Sequence, residues 1–358
     1  WYPADFITEC FPGQFRNWFY SLIAMSTVLE DHEPFKTVLG HALVRDEKGE
    51  EMHKSKGNAI WFDEAVEKMG ADTMRWLYAR QKPEFNLNFG YNVANEVRRQ
   101  YLLLYWNTYR FFVTYANLNG WKPLENSKFQ IPNSKPARNA THSVAGGQTQ
   151  NSNDQNSKNF ENWNLELGAL DQWILSRLES TKKIATERLD DYHHHEALWT
   201  IEKFLEDLST WYVRRSRDRV NPNNPDRKDQ QACLATLYYV LTQLTLILTP
   251  FIPYLTETVW QGLHGFGQNW SVNQSVHLQD WPEVNEKLID QKLEEQMAAV
   301  REVVSLGHAI RKEKQIKVRQ PLGKFQITNF KFPIDKELAE LIKQELKQQG
   351  IQLQPDEE

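Results

Sequence analysis

Two kinds of apolar pattern follow one another along this chain, and the change falls near residue 80. Before it, short apolar runs alternate with helical spacing. Phe6-Ile7 and Thr37 to Val44 read as buried strands, and Trp18 to Leu29 (WFYSLIAMSTVL) reads as a mostly buried helix. After Gly70-Ala71-Asp72, apolar residues return at Met74, Leu77 and Tyr78, the interval of a helix face. Alternating strand and helix predicts α/β packing for residues 1–80. Helical patterning continues through Tyr91 to Tyr115, where the aromatic run Tyr101, Tyr105, Trp106, Tyr109, Phe111 and Phe112 reads as packing surface. Residues 81–131 are therefore taken as a helical junction.

Residues 132–164 break the pattern. They are Asn, Ser, Gln, Thr, Gly and Lys with almost no large apolar residue before Phe160, the composition of a disordered linker or surface insertion. Amphipathic stripes then follow: Leu170, Trp173, Ile174 and Leu178; Ile201, Phe204, Leu205, Leu208 and Tyr212; Leu234, Leu237, Leu241, Leu244 and Leu248. Pro250 and Pro253 interrupt the third stripe, Thr256 to Leu263 resumes it, and Trp270 to Trp281 reads as an extended connection. This spacing predicts an all-α bundle over residues 165–290. Residues 291–358 read as a late helix through Met297, Val300, Val304 and Ala309, then a polar tail from Lys324 that is expected to be partly disordered.

Composition narrows the classes of function. With 358 residues, 40% hydrophobic residues and 13 tryptophans, the chain can fill more than one core. No apolar run is long enough to span a bilayer. The two cysteines, Cys10 and Cys233, lie far apart, so neither a disulfide framework nor a zinc site is expected, and a cytoplasmic, monomeric protein without a membrane partner fits. A net charge of −5 does not by itself favour nucleic acid, so any RNA contact must come from a local patch. The chain opens on Trp1, without methionine, in what reads as the middle of a domain, so a fragment is expected.

Three stretches carry candidate chemistry. Glu51-Met52-His53-Lys54-Ser55-Lys56-Gly57-Asn58 is a short loop after a strand, with two ammonium groups and a glycine hinge. Lysine in such a loop serves as a flexible point charge on phosphoryl oxygens. Glu9 to Tyr20 brings a carboxylate, an amide (Gln14) and an indole (Trp18) out between a strand and a helix, where open α/β sheets bind ligands. Trp211-Tyr212-Val213-Arg214-Arg215-Ser216-Arg217-Asp218-Arg219 places four arginines beside two aromatics, a combination suited to single-stranded RNA. Each stretch also has a bland reading, as surface loop, capping segment or solvated helix face. His193-His194-His195 sit about 100° apart around a helix and cannot all face one ion, so no metal site is assigned to them.

These stretches, in this order, resemble the isoleucyl-tRNA synthetases among the class I aminoacyl-tRNA synthetases. Met52, Lys54, Ser55, Gly57 and Asn58 match the family's Lys-Met-Ser-Lys-Ser-x-Gly-Asn loop, with Glu51 in place of its first lysine and His53 in place of its first serine. Pro3-Ala4-Asp5-Phe6-Ile7-x-Glu9 and Gln14-x-Arg16-x-Trp18-Phe19-Tyr20 resemble its adenylate-pocket segment, with one extra residue between Glu9 and Gln14. Leu208 to Arg219 resembles the isoleucyl anticodon-binding helical domain, and Lys317 to Leu322 another isoleucyl-type stretch.

The resemblance implies a fold class: the second half of a Rossmann-like catalytic domain, then an α-helical anticodon-binding bundle. It implies ATP, with Mg2+ carried on the ATP, isoleucine and tRNA(Ile) as partners. Lys54, with Lys56 as helper, would follow the leaving pyrophosphate; Ser55 would donate a hydrogen bond; Leu43 and Val44 would lie near adenine. Glu9 and Gln14 would contact the aminoacyl-adenylate, and Trp18 would wall the isoleucine pocket. Trp211, Arg214, Arg215, Arg217 and Arg219 would meet the anticodon. The family's upstream His-x-Gly-His motif, its editing insertion and the zinc-binding tail of some members are not found in this sequence. The chain alone is therefore expected not to aminoacylate. The competing readings are a non-catalytic RNA-binding module and a valyl or leucyl relative.

Overall fold

The computed structural model describes residues 2–123, 165–265, 274–318, 320–323, 325–330, 336–346 and 351–355. The predicted linker at 132–164, Trp270 and Arg319 fall outside them. The chain divides into two compact units, one of Trp1–Phe111, Ile184–Ser209 and Leu244–Trp281, the other of Phe112–Lys183, Thr210–Gln243 and Pro282–Glu358.

In the first unit, β1 (Ala4–Cys10) leads through helix α1 (Trp18–Leu29) to β2 (Phe35–His41), and the two strands pair in parallel, from Ala4 opposite Phe35 to Cys10 opposite His41. A second parallel pair joins β3 (Val44–Arg45) to β4 (Leu87–Asn88). The predicted strand Thr37 to Val44 is thus split after His41. Neither β1 nor β2 contains a fully buried residue. Helix α1 spans the predicted residues but is not mostly buried: only Phe19 and Ser26 are, while Val28 is 82% exposed. Apolar residues occupy every side of this helix, and a two-stranded sheet is too narrow to cover more than one stripe of it.

Helices α2 (Phe62–Met69), α3 (Ala71–Arg80) and α4 (Tyr91–Val97) surround a better-packed centre. Trp76 is fully buried and donates its indole hydrogen to Glu202, 2.9 Å away, which also accepts from Arg80 at 2.8 Å. Burial raises the Glu202 carboxyl above its ordinary range, against the indole and guanidinium bonds that favour its charge. A wide helical turn at Arg98–Leu102 leads into α5 (Leu103–Leu118). The aromatic run there is largely packing surface, as its spacing predicts: Tyr105 is buried and bonds Thr245 at 2.6 Å. Helix α9 (Pro253–His264) starts where Pro253 can no longer donate an amide hydrogen, and Asp72 accepts from the amides of Tyr254 and Leu255. At the end of α9, burial pushes the His264 imidazole down to about 4.

The second unit holds the stripes at 170–178 and 234–241, whereas the residues at 201–208, 244–248 and 256–263 belong to the first unit. Helix α6 (Ala169–Asp190) buries Leu170, Trp173, Ile174 and Leu178, and α8 (Arg227–Leu248) buries Leu234, Leu237 and Leu241. Glu179 and Lys182 form a buried ion pair at 2.7 Å, completed by Tyr239, Asn285 and Gln243. Helix α10 (Gln291–Glu313) begins at Asp290, whose side chain accepts from the amide of Leu293. Its buried stripe runs through Met297, Val300 and Val304 to Gly307 and Arg311, leaving Ala309 outside.

The tail is not simply polar. Phe325–Phe330 (β5), Lys336–Leu346 (α11) and Ile351–Pro355 (β6) form a β–α–β unit with a parallel pair. Leu338, Ile342 and Leu346 recur every four residues and are buried. That apolar stripe lies within a polar composition and was the missed signal.

Candidate functional site

Each unit holds one cationic segment of interest. In the first, the loop leaves β3 through a turn at Asp46–Gly49 and returns to α2. Lys54, Ser55 and Lys56 form a single tight helical turn, closed by Gly57 at φ 69°, a left-handed conformation that favours glycine. Asn58 anchors the loop's far end. It donates to Asp46 at 2.8 Å and to the Glu51 carbonyl at 3.1 Å, and its side-chain oxygen accepts from the His53 amide at 2.9 Å. Asp46 also accepts from the Lys48 and Glu50 amides, and these bonds, led by that of Asn58, hold its carboxyl below the usual range. The turn is fixed at its base while Lys54, Ser55 and Lys56 remain exposed at its tip.

The two departures from the family loop face each other, with Glu51 3.4 Å from His53. Lys54 lies 4.6 Å over the ring of Trp61, an exposed indole on the far flank of the loop. Trp61 was not among the predicted site residues. Its only sequence signal was a large aromatic three positions beyond Gly57-Asn58.

Leu43 and Val44 line a cavity of about 720 Å³ with Met74, Tyr78, Phe85 and Leu87. The polar backbone of Leu43 is occupied within the fold: its amide donates to Asn86 at 3.0 Å, and its carbonyl accepts from Leu87 at 2.9 Å. At the end of β1, Glu9 accepts from the Cys10 amide at 2.8 Å. Gln14 accepts from the Trp18 amide at 3.3 Å, a local bond at the start of α1. Trp18 is 41% exposed.

In the second unit, the arginine segment follows a wide helical turn at Asp207–Val213, the continuation of α7 (His194–Glu206). The turn places Trp211, Tyr212 and Val213 all inside. The four arginines do not form one exposed patch. Arg219 reaches inward to Asp171 at 2.6 Å and Asp229 at 2.7 Å, and Tyr212 donates to Asp171 at 2.6 Å. Burial opposes the Arg219 charge, but the Asp171 hydrogen bond overcomes it and the guanidinium is held more firmly protonated than usual. Arg214 and Arg215 share Glu345 of α11, at 2.8 and 2.5 Å. Arg217 is exposed. Arg214, Arg215 and, from α10, Arg301 lie 5.3, 5.9 and 5.9 Å from the Trp211 ring centre. Arg301 and Glu345 were not anticipated, because their proximity depends on tertiary packing.

Comparisons with known proteins match two successive parts of the chain. Residues 1–89 match the family model "tRNA synthetases class I (I, L, M and V)", and residues 171–326 match "Anticodon-binding domain of tRNA ligase". An isoleucine–tRNA ligase of Clostridium kluyveri is 36% identical over 91% of this chain, and one of Thermus thermophilus is likewise 36% identical over 91%. One of Clostridium novyi is 34% identical over 99% of the chain. The chain spans about 28–30% of the length of these relatives. The LeuRS of Agrobacterium radiobacter K84, solved in a ternary complex with tRNA and LeuAMS, shares the fold at 18% identity and a TM-score of 0.51. That match covers 80% of this chain and 29% of the LeuRS.

Proposed function

The chain belongs to the class I tRNA synthetases, and on that premise we propose that it serves isoleucine–tRNA ligase chemistry as part of a longer enzyme. The parallel strand pair bridged by a helix, β1–α1–β2, supports reading the first unit as part of a Rossmann-like nucleotide fold. The observation that carries the reaction is the loop turn, fixed at Asn58 and hinged at Gly57, with the Lys54 ammonium at its exposed tip.

In this reaction the isoleucine carboxylate attacks the α-phosphate of ATP. Isoleucyl-adenylate forms as the bond to pyrophosphate breaks, and the isoleucyl group then passes to the 3′-terminal ribose of tRNA(Ile). Negative charge moves onto the departing pyrophosphate, so a lysine that can follow it stabilises the transition state more than the ground state. Lys54 takes this role and Lys56 assists. Ser55 donates a hydrogen bond to a phosphoryl oxygen, and the left-handed Gly57 lets the turn move as a unit. Mg2+ arrives with the ATP and offsets phosphate charge. Leu43 and Val44 present an apolar edge for adenine. Glu9 and Gln14 receive the aminoacyl-adenylate, with the Trp18 indole as the apolar wall for an aliphatic side chain. In the helical unit, Arg217, together with Arg214, Arg215 and Trp211, addresses the tRNA anticodon. Arg219 supports that surface from within, as a positioning residue for the helix. A monomeric, cytoplasmic enzyme fits this work.

The deciding experiment is isoleucine-dependent pyrophosphate exchange by the intact ligase carrying Lys54→Ala. The proposal requires a large loss of adenylate formation with isoleucine affinity retained. Unchanged exchange kinetics would remove Lys54 from the reaction. Titrating the chain separately with tRNA and with an isoleucyl-adenylate analogue distinguishes an RNA-binding module from a chain that serves both steps.

A further inference from the structure

The indole of Trp61 has no part in the reaction as described so far, yet it flanks the loop that carries it. It is 59% exposed, a large apolar surface left in water beside the lysine turn. Its backbone belongs to the fixed part of the unit. The Trp61 carbonyl accepts from the Ala65 amide at 2.9 Å and opens the first turn of α2. Lys54 stands instead on the turn between His53 and Gly57, whose base is held by the bonds of Asn58 to Asp46, the Glu51 carbonyl and the His53 amide. The Lys54–Trp61 contact, 4.6 Å from ammonium to ring centre, therefore runs from the tip of the turn to the helix that follows it.

The kind of partner matters. Two other lysines of this unit, Lys36 and Lys68, pair with Asp5 and Glu64 at 2.7 Å. A carboxylate at the tip of the loop would neutralise Lys54 and repel the phosphates it has to reach. A ring face attracts the ammonium through its quadrupole, leaves the charge intact and adds no anion to the path of a polyphosphate. The contact is also weak enough to break, since an exposed cation–π pair favours one position over another about 2- to 5-fold. A lysine that follows a leaving group gives up its contact in the free enzyme, so whatever stabilises that contact adds to the barrier.

We propose that Trp61 is a positioning residue for the adenylation step. Its indole face is the resting station of the Lys54 ammonium in the free enzyme, and it restrains the turn until a polyphosphate draws Lys54 away. This rests on the reading of Lys54 as the charge that follows pyrophosphate, and goes beyond it by assigning the other end of that movement. The contact stabilises the free enzyme and not the transition state, so removing it raises kcat/KM for ATP.

Isoleucine-dependent pyrophosphate exchange by the intact ligase tests this, with thermal melting to confirm that each variant folds. Trp61→Leu keeps apolar bulk and removes the ring. It is expected to raise kcat/KM for ATP about 2- to 5-fold, with KM for isoleucine unchanged. Trp61→Phe keeps a weaker ring and is expected to fall between Trp61→Leu and the wild type. Lys54→Met keeps the length of the side chain without its charge, and in that background Trp61→Leu is expected to change nothing. An unchanged kcat/KM in Trp61→Leu overturns the resting station, as does a gain that survives in the Lys54→Met background. A fall in kcat/KM for ATP overturns it too, and makes the indole a surface for the nucleotide itself. These outcomes leave the role of Lys54 standing where Lys54→Met alone slows exchange. Exchange at the wild-type rate in Lys54→Met removes that role, and the resting station with it.

Discussion

The lysine loop and the arginine segment look alike as strings of basic residues, yet the fold treats them in opposite ways. Lys54 and Lys56 stand on an exposed turn anchored, among the described residues, at its base, and Lys54 rests against a ring face. Such a contact contributes about 0.5–1 kcal/mol at an exposed site, little enough for a polyphosphate to displace. Arg219, by contrast, is locked between two carboxylates, and Arg214 and Arg215 are met by a third. The difference teaches that a run of positive charge in a sequence marks two distinct things: a charge held ready for a ligand, and a charge that organises the protein itself.

The sharpest way to break this comparison is to remove the carboxylate at the centre of the arginine cluster. Asp171→Ala leaves Arg219 and the Tyr212 hydroxyl without their shared acceptor. Truncating one member of such a pair is expected to destabilise the helical unit by about 3 kcal/mol, read by urea denaturation. A change below about 0.5 kcal/mol would mean that the cluster does not organise the unit.

Acid separates the units by a different route. His264 belongs to the unit that carries the lysine loop, and burial holds its imidazole at about 4, below the ordinary 6.5. The unfolded chain therefore takes up this proton first as the pH falls. The associated stability is complete above pH 6.5 and is lost progressively down to pH 4, to a total of about 3 kcal/mol at about 1.4 kcal/mol per pH unit. Hydrogen exchange of amides in α9 measures it, and His264→Leu should flatten the profile.

For the loop itself, Lys54→Ala in the intact ligase is expected to slow pyrophosphate exchange about 100-fold or more, with isoleucine affinity within about 2-fold. The smallest expected effect sharpens the comparison from the arginine side. Arg217→Ala should weaken tRNA binding about 2- to 3-fold and lower its salt dependence by about one counterion. A larger loss with unchanged salt dependence would place Arg217 on a base rather than on a phosphate.

The legible parts of the fold were those where a stripe and its cover lie in the same chain. Leu170, Trp173, Ile174 and Leu178 repeat at helical spacing, and the structure buries all four. Helix α1 was legible in extent but not in burial, because its composition is apolar on all sides and says nothing about how much neighbouring surface exists to cover it. The tail helix α11 was missed for the reverse reason, three buried residues in a polar segment. At the candidate sites, the Gly57-Asn58 ending of the loop was readable from local backbone chemistry. The partners of Arg214, Arg219 and Trp211 were not, since Glu345, Asp171 and Arg301 are brought to them only by tertiary packing.

Glu345 is a counterion supplied from a distance. It lies 131 positions beyond Arg214 and answers two guanidinium groups at once. The electrical character of the segment after α7 is therefore written in two distant places of the sequence. A protease cut ahead of Gln344 would strip the mask from Arg214 and Arg215, and would also remove the Leu346 carbonyl that accepts from Arg311 of α10. The shortened protein would emerge as a stickier and less discriminating polycation, attracted to any RNA that the intact chain passes over.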